Sequence, residues 1–408
     1  MTLSEFQKYS ADVARACALG LAVSLPFSTA LDNVLLVFLL AGWLAAGDWR
    51  RRWTMLRANP VALTALGFVA LLAAGLAYGE RPLADGWRYF GKYADLLLVA
   101  MLIMLFADAR WRQRAWSALA AGLLLLLALS CLTAGGLVPP NPWLHGTPGN
   151  PVVFKQWLTH GILMAFGAFV FALRALYSAT PAQRAGWFAA AALAATNVLF
   201  MVQGRTGYLV LALLALYFGY VWRRRAGLAA LAAGLVIIVS GGFVLSSTLH
   251  DRAMLALHEA QQWRPGAATH TSVGLRLEFY RNSLAIIRER PLVGAGTGGF
   301  PYAYRQQIAG SAQEPTDNPH NEYLHMTAQL GVAGLAALLT LFWMPWRCAA
   351  WLPTAHETHL ARGLVLAIAA GCLFNSLLID HTERLLFAWG LGVLFAGLQS
   401  RALSSGQP

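Results

Sequence analysis

Twelve apolar runs, most of them about the length of a membrane helix, punctuate this chain. They span 12–29, 31–47, 62–78, 93–107, 115–135, 158–173, 187–202, 207–222, 228–249, 326–346, 360–379 and 385–399. A helix needs about 20 apolar residues to cross a bilayer, where an unsatisfied backbone group costs several kcal/mol. Only 12% of the residues are charged, against about 25% in an ordinary soluble domain. The pattern predicts an all-α polytopic membrane protein of about twelve transmembrane helices. Its single membrane domain divides into helices one to nine over 1–248, a polar outer loop with helices of its own over 249–325, and helices ten to twelve over 326–408. The first run lacks a small-residue cleavage site and reads as a retained helix. Cys17, Cys131, Cys348 and Cys372 lie in or near apolar runs with no C-x-x-C spacing, so neither a disulfide framework nor a zinc site is expected.

The 30 basic residues exceed the 18 acidic ones, and their placement follows topology rather than a nucleic-acid patch. With a cytoplasmic N-terminus, 17 fall in inner segments, among them Arg50, Arg51, Arg52, Arg110, Arg112, Arg174, Arg223, Arg224, Arg225 and Arg401. The short outer loops hold 6: Arg81, Arg88, Lys92, Lys155, Arg205 and Arg384. Both termini are therefore expected inside and the long loop outside. Cations placed against the topological preference need another reason. A shared anionic ligand at the outer ends, near Asp380 and His381 as well, is one.

Inside the loop, 251–263 and 272–290 read as helices. Leu277, Tyr280, Leu284 and Ile287 give the second an apolar face, and Pro291 ends it. The tract from Gly294 to Gly299 lets backbone approach a ligand closely. With no strand before it and no Gly-Lys-Ser after it, it is not a nucleotide loop.

The loop closes on Asp317-Asn318-Pro319-His320-Asn321. A histidine at a membrane surface accepts a proton near neutral pH, and Asp317 is close enough in sequence to orient it. The plainer reading is that His320 and Asn321 begin the next helix, with Gly331 and Gly334 allowing close packing below and His325 structural. Arg205, in Gln203-Gly204-Arg205-Thr206-Gly207, sits in a very short turn between two apolar runs. It reads as an anion contact, with snorkelling to lipid phosphate as the alternative. Arg276, Arg281 and Arg288 share the loop helix, as further anion contacts or as a solvated face. Lys155 with His160, and Arg88 with Lys92, enter outer helix ends as substrate contacts or as interfacial anchors. No Asp-x-Asp pair occupies an outer loop, no Walker motif occurs, and neither metal nor cofactor is expected.

Several of these pieces together resemble the bacterial O-antigen ligase family, within the superfamily that also holds O-antigen polymerases and pilin O-oligosaccharyltransferases. They are His320-Asn321, nine residues, then Gly331-Val332-Ala333-Gly334; Gly204-Arg205-Thr206-Gly207; Arg276 heading the loop helix; and Arg290-Pro291-Leu292-Val293-Gly294-Ala295-Gly296. The resemblance implies a metal-independent glycosyltransferase of the GT-C type in the bacterial inner membrane, acting on the periplasmic face in lipopolysaccharide biosynthesis. It implies an undecaprenyl-diphosphate-linked glycan as donor and the lipid A–core oligosaccharide as acceptor. By motif, His320 matches the family's essential histidine, and Arg205 and Arg276 its essential arginines. A polymerase or a protein O-oligosaccharyltransferase is the nearest alternative. The short segment 136–157 argues against the first, because polymerases tend to have two sizeable outer loops. A lipid-linked glycan transporter is the alternative of another class, but this chain's charges gather at the outer helix ends rather than along helices.

Overall fold

The computed structural model describes residues 2–139, 144–245, 247–265 and 270–398, and every regular element among them is helical. Gln399, which closes the last apolar run, and Arg401 lie outside the described residues. The helices are α1 (Leu3–Ser24), α2 (Thr29–Ala45), α3 (Trp49–Arg57), α4 (Pro60–Ala74), α5 (Leu83–Tyr93), α6 (Leu97–Leu105), α7 (Ala109–Ala134) and α8 (Trp157–Leu176). They continue with α9 (Pro181–Thr196), α10 (Arg205–Leu245), α11 (Ser247–Gln262), α12 (Ser272–Glu289), α13 (Phe300–Gln307), α14 (Glu322–Cys348), α15 (Ala355–Gly371) and α16 (His381–Phe395).

Among the described residues, five stretches are long and apolar enough to cross a bilayer: Ala109–Ala134, Trp157–Leu176, Pro181–Met201, Arg205–Val236 and Glu322–Trp351. A sixth arises if α2 and α3, bent by 110°, are counted together. Of the other apolar runs, 62–78, 360–379 and 385–399 fall on helices of 15, 17 and 15 residues, while 12–29 lies on the longer but less apolar α1. The run 93–107 is divided by a turn at Ala94–Leu96, and the run 360–379 stops being helical at Gly371. Large apolar side chains face outward, including Val37 at 66% exposure, Phe38 at 57% and Trp343 at 53%. Water disfavours such a surface and lipid does not, so the chain is a helical membrane protein.

The centre of the bundle is α16, buried at every position from Thr382 to Phe395. Trp389 Nε1 donates to Ala18 O at 2.9 Å, and Asn59 Nδ2 to Phe395 O at 2.9 Å. Asn59 also caps α4 by accepting from the Val61 and Ala62 amides, with Pro60 at the first helical position. α10 bends at Arg223 and Arg224, where φ reaches 51°. This is where the sequence places a loop between two runs.

The loop helices form at α11 and α12, close to their expected bounds. The face α12 buries differs from the expected stripe. Phe279, Asn282, Ser283 and Ile286 are inside, whereas Leu284 is 45% exposed. Phe279 and Ile286 join Phe300, Tyr304, Ile308 and Ala328 in a small second core. The competing stripe fails because α13 supplies aromatic partners to the other face.

α14 is not continuous. Gly331 holds φ 62° and ψ −155° inside it. Such a break orphans carbonyls on its N-terminal side. The glycine-rich turn fills them: the Ala295 amide donates to Ala328 O at 2.9 Å and the Gly296 amide to Gln329 O at 2.7 Å. Beyond the break, the Val332 amide donates to Pro291 O at 2.8 Å. The tract therefore spends its backbone freedom on docking into a helix break, not on a ligand. Arg81 caps the neighbouring end of α4, donating to Gly75 O at 3.1 Å and to Thr297 O.

Candidate active site

The segment before α14 is built from side chains bonding to nearby backbone. Thr316 Oγ1 donates to Asn318 O at 2.7 Å, and Asn318 Oδ1 accepts from the His320 amide at 2.8 Å. Pro319 keeps Asn318 out of the helical region, and His320 takes φ 53°. A left-handed histidine costs roughly 1–2 kcal/mol, which the surrounding contacts offset; such strain gathers at working sites. Asn321 is the N-cap of α14. Its Oδ1 accepts from the Leu324 amide and its Nδ2 donates to Leu373 O, each at 3.0 Å. Asn321 is also a candidate for substrate contact by sequence; here each end of its amide has an internal partner, and it caps the helix as the plainer reading expects.

The His320 ring stacks on Phe279 with centroids 6.0 Å apart and planes at 27°. Its Nδ1 lies 3.0 Å from Asn375 Oδ1. An amide oxygen only accepts, so in the neutral ring this contact selects the tautomer with the proton on Nδ1 and the lone pair on Nε2. The orienting group is Asn375 rather than Asp317. The Asp317 carbonyl oxygen instead accepts from the Tyr89 hydroxyl at 3.2 Å, and its residue is exposed. The Tyr280 hydroxyl is shared between His320 O and Leu373 O, each at 3.4 Å.

Arg205 opens α10 just after a π-turn at Asn197–Met201. Gly207 lies against Gly161 of α8, where an added Cβ would come within 3.2 Å of backbone. This small-residue crossing sets Arg205 beside the start of α8. Arg276 comes one turn into α12, whose N-terminus Thr271 caps. The two guanidinium-bearing residues line one cavity of about 280 Å³ with Asn150, Trp157, Gln203, Gly204, Thr206, Tyr208 and Ser272. No carboxylate lines it, and among the described residues neither arginine has an ion-pair partner. Two cations sharing a cavity without an acid can together hold an anion, through planar forks that suit phosphate oxygens. Arg276, Phe279 and Tyr280 fall at helical spacing, so one face of α12 runs from this cavity to His320.

On the other flank of His320, α5 carries Arg88, Tyr89 and Lys92. Lys92 Nζ lies 4.4 Å from the Tyr89 ring centroid and the Arg88 guanidinium 6.0 Å from it. Burial, then the Arg88 charge, lowers the Lys92 pKa. Burial, then Asp317, pushes Tyr89 up to about 12, so its hydroxyl stays a donor. Burial raises the Asp380 carboxyl against the pull of Lys92 and Arg384.

The remaining sequence candidates lie elsewhere. Lys155 Nζ donates to Thr29 Oγ1 at 2.8 Å, and burial lowers its pKa. His160 is fully buried, with Nε2 3.1 Å from Asn197 Oδ1, in a chain that continues to Ser130 and the Pro151 carbonyl. It joins helices inside the bundle and is not presented to a surface ligand. Arg281 is paired with Glu278 at 2.9 Å. Arg288 is exposed in the last turn of α12, where a cation suits the helix dipole. Arg384 is satisfied by Asp95 at 2.7 Å and Ile379 O at 3.1 Å, and His381 faces Asp32 at 3.3 Å. Neither requires a ligand to balance it.

Sequence reasoning passes over Asn375, Tyr89 and Tyr280. One signal for the first was present: Asn375-Ser376 interrupts an otherwise apolar run, and polar groups at membrane depth are rarely idle.

Compared with known proteins, residues 188–339 match the O-antigen ligase family. The matched segment contains Arg205, Arg276, His320 and Gly331. An uncharacterized protein of Haemophilus influenzae is 29% identical over 80 residues, 19% of this chain and 20% of that protein. The match thus spans about a fifth of that relative's length.

Proposed function

We propose that this chain, which carries an O-antigen ligase family segment over residues 188–339, transfers a polysaccharide from undecaprenyl diphosphate to the lipid A–core oligosaccharide. In this reading it is a GT-C-type glycosyltransferase of the bacterial inner membrane, in which all twelve apolar runs span or enter the bilayer. Its termini are cytoplasmic, and the loop 249–325 forms the catalytic face in the periplasm.

The observation that carries the reading is the shared cavity of Arg205 and Arg276, free of carboxylates and joined through α12 to His320. The leaving diphosphate gathers negative charge as the glycosidic bond breaks. Fixed guanidinium groups stabilise that charge more in the transition state than in the ground state. The acceptor hydroxyl gives its proton to His320 Nε2, whose lone pair the bond from Nδ1 to Asn375 keeps available. The acceptor oxygen bonds to the anomeric carbon as the carbon–oxygen bond to phosphate breaks. Undecaprenyl diphosphate departs, and the configuration inverts. A product of retained configuration would sink the single displacement.

The test is a reconstituted assay with purified protein, undecaprenyl-diphosphate glycan and lipid A–core, in the presence of EDTA. The expected product is glycan on lipid A–core. Arg205→Ala and Arg276→Ala should each lower the rate by about 10²–10³-fold, the usual effect of removing one transition-state donor. A wild-type enzyme that lengthens the lipid-linked glycan instead is a polymerase, and activity lost only with EDTA overturns the metal-independent mechanism.

Asn375 supplies a further test. Asn375→Ala removes the acceptor of the Nδ1 proton, which costs about 1–3 kcal/mol at a buried donor. The expected outcome is a kcat reduced by about tenfold to a hundredfold with KM little changed, largely recovered in Asn375→Asp. A pure KM effect would assign Asn375 to binding.

A further inference from the structure

A second cavity, of about 830 Å³, opens at the other end of the bundle. It lies between the starts of α7 and α15 and the turn joining α8 to α9. Trp157, at the start of α8, lines the first cavity, while Arg174 near its end lines this one. Seventeen residues separate them, roughly 25 Å of helix. This cavity is therefore no part of the site described above.

Its charges are arranged unequally. Arg112 is neutralised by Glu357 at 2.7 Å and by the Phe106 and Ala107 carbonyls at 3.2 and 2.7 Å. Arg174 has no acid partner among the described residues. One of its nitrogens donates to Ser117 Oγ at 3.0 Å, and its guanidinium lies 5.1 Å from the Trp187 ring centroid. Its other donors remain uncommitted in a partly desolvated pocket. Trp116 also lines the cavity, but its Nε1 is itself buried and is not open to a ligand there. Burial, then Arg174 and His359, pushes the lining residue His356 down to about 4, so it adds a neutral hydrogen-bonding ring. The pocket thus offers a guanidinium with donors left over beyond Ser117, beside a neutral imidazole, a complement for an oxyanion.

The surroundings favour an amphiphile over a soluble anion. Trp187, Tyr177 and Leu360 form apolar wall. α9, which borders the cavity, buries only Ala191 and Ala194 and leaves Phe188 and Leu193 at 38% and 45% exposure. Acyl chains have an apolar track along α9 directly below a cationic headgroup pocket. We propose that this cavity holds the phosphate headgroup of an anionic glycerophospholipid, with Arg174 as its principal contact. Basic pockets between membrane helices bind such headgroups in this way. The site is independent of the transfer chemistry.

Native mass spectrometry of the whole chain in detergent tests it, with phosphatidylglycerol, phosphatidylcholine and inorganic phosphate as probes. The wild type should retain phosphatidylglycerol in preference to phosphatidylcholine. Arg174→Gln should lower the retained fraction by about tenfold, in keeping with loss of one charge-assisted contact. Arg174→Lys, which keeps the charge and loses the planar fork, should lower it by about threefold. Equal retention by wild type and both variants overturns the proposal, as does equal retention of the two lipids. Displacement of phosphatidylglycerol by millimolar inorganic phosphate assigns the pocket to free phosphate and overturns the lipid assignment.

Discussion

Replacing His320 with alanine is expected to lower glycan transfer by about 10²–10⁴-fold, the range for loss of a positioned general base. The argument rests on one ring nitrogen. Nδ1 is committed to Asn375 at 3.0 Å, and the ring face is committed to Phe279. Nε2 is the atom left for a substrate proton. The backbone complicates the test, because residue 320 holds φ 53° and alanine suits that region poorly. His320→Asn is the companion variant: asparagine tolerates left-handed φ and removes the imidazole. Both should be inactive, and His320→Asn should elute and melt like the wild type. Full activity in His320→Asn removes the base from the mechanism and leaves the arginine cavity alone to explain catalysis.

The second large effect is expected at Gly331. Its φ of 62° and ψ of −155° lie in a region essentially reserved to glycine, costing another residue about 1–3 kcal/mol, and an added Cβ would meet the Leu292 carbonyl. Gly331→Ala therefore pushes α14 toward a continuous helix. A straight α14 takes back the carbonyls of Ala328 and Gln329, which the glycine-rich turn now uses, and the turn is expelled. The expected result is about 3 kcal/mol or more of lost stability, from backbone strain, steric clash and two displaced hydrogen bonds together. Hydrogen exchange at Ala295 and Gly296 should accelerate, and transfer should fall because α13 and α12 lose their seat. Unchanged exchange at these amides would show that the break does not hold the turn.

Much of the fold is legible because its signals are local. Apolar runs set the helices, and Asn59-Pro60, Thr180-Pro181 and Asn321 mark helix starts through cap chemistry. Arg205 and Arg276 are noticeable because charge beside apolar runs needs a reason. That they share a cavity is a long-range fact, set by the crossing of α8 and α10 and by the seat of α12, which no residue spacing encodes. His160 and Arg281 mislead for the opposite reason. Each resembles a surface ligand in sequence, but its partner, Asn197 or Glu278, is visible only when the helices are assembled or the helix face is known. Gly331 reads as a packing glycine, because nothing near it announces that a turn from 291–299 docks into the helix there. The buried face of α12 is missed because α13, whose rings cover it, lies beyond the window that periodicity uses.

The break at Gly331 also divides α14 mechanically. The upper piece begins at the Asn321 cap, immediately beside His320, and the lower piece presents Trp343 and Leu339 to the lipid side. Membrane helices tilt to match local bilayer thickness. In an unbroken rod, such tilt would swing the histidine through an arc set by the rod's length. Here the joint is pinned on both sides by the loop segment 291–296, through Pro291 O below and the Ala295 and Gly296 amides above. A joint held this way lets tilting of the lower piece be taken up at the break, leaving the upper piece in register with Asn375 and α12. For the proposed transfer, such a joint would decouple the reacting geometry from the thickness of the membrane that carries it.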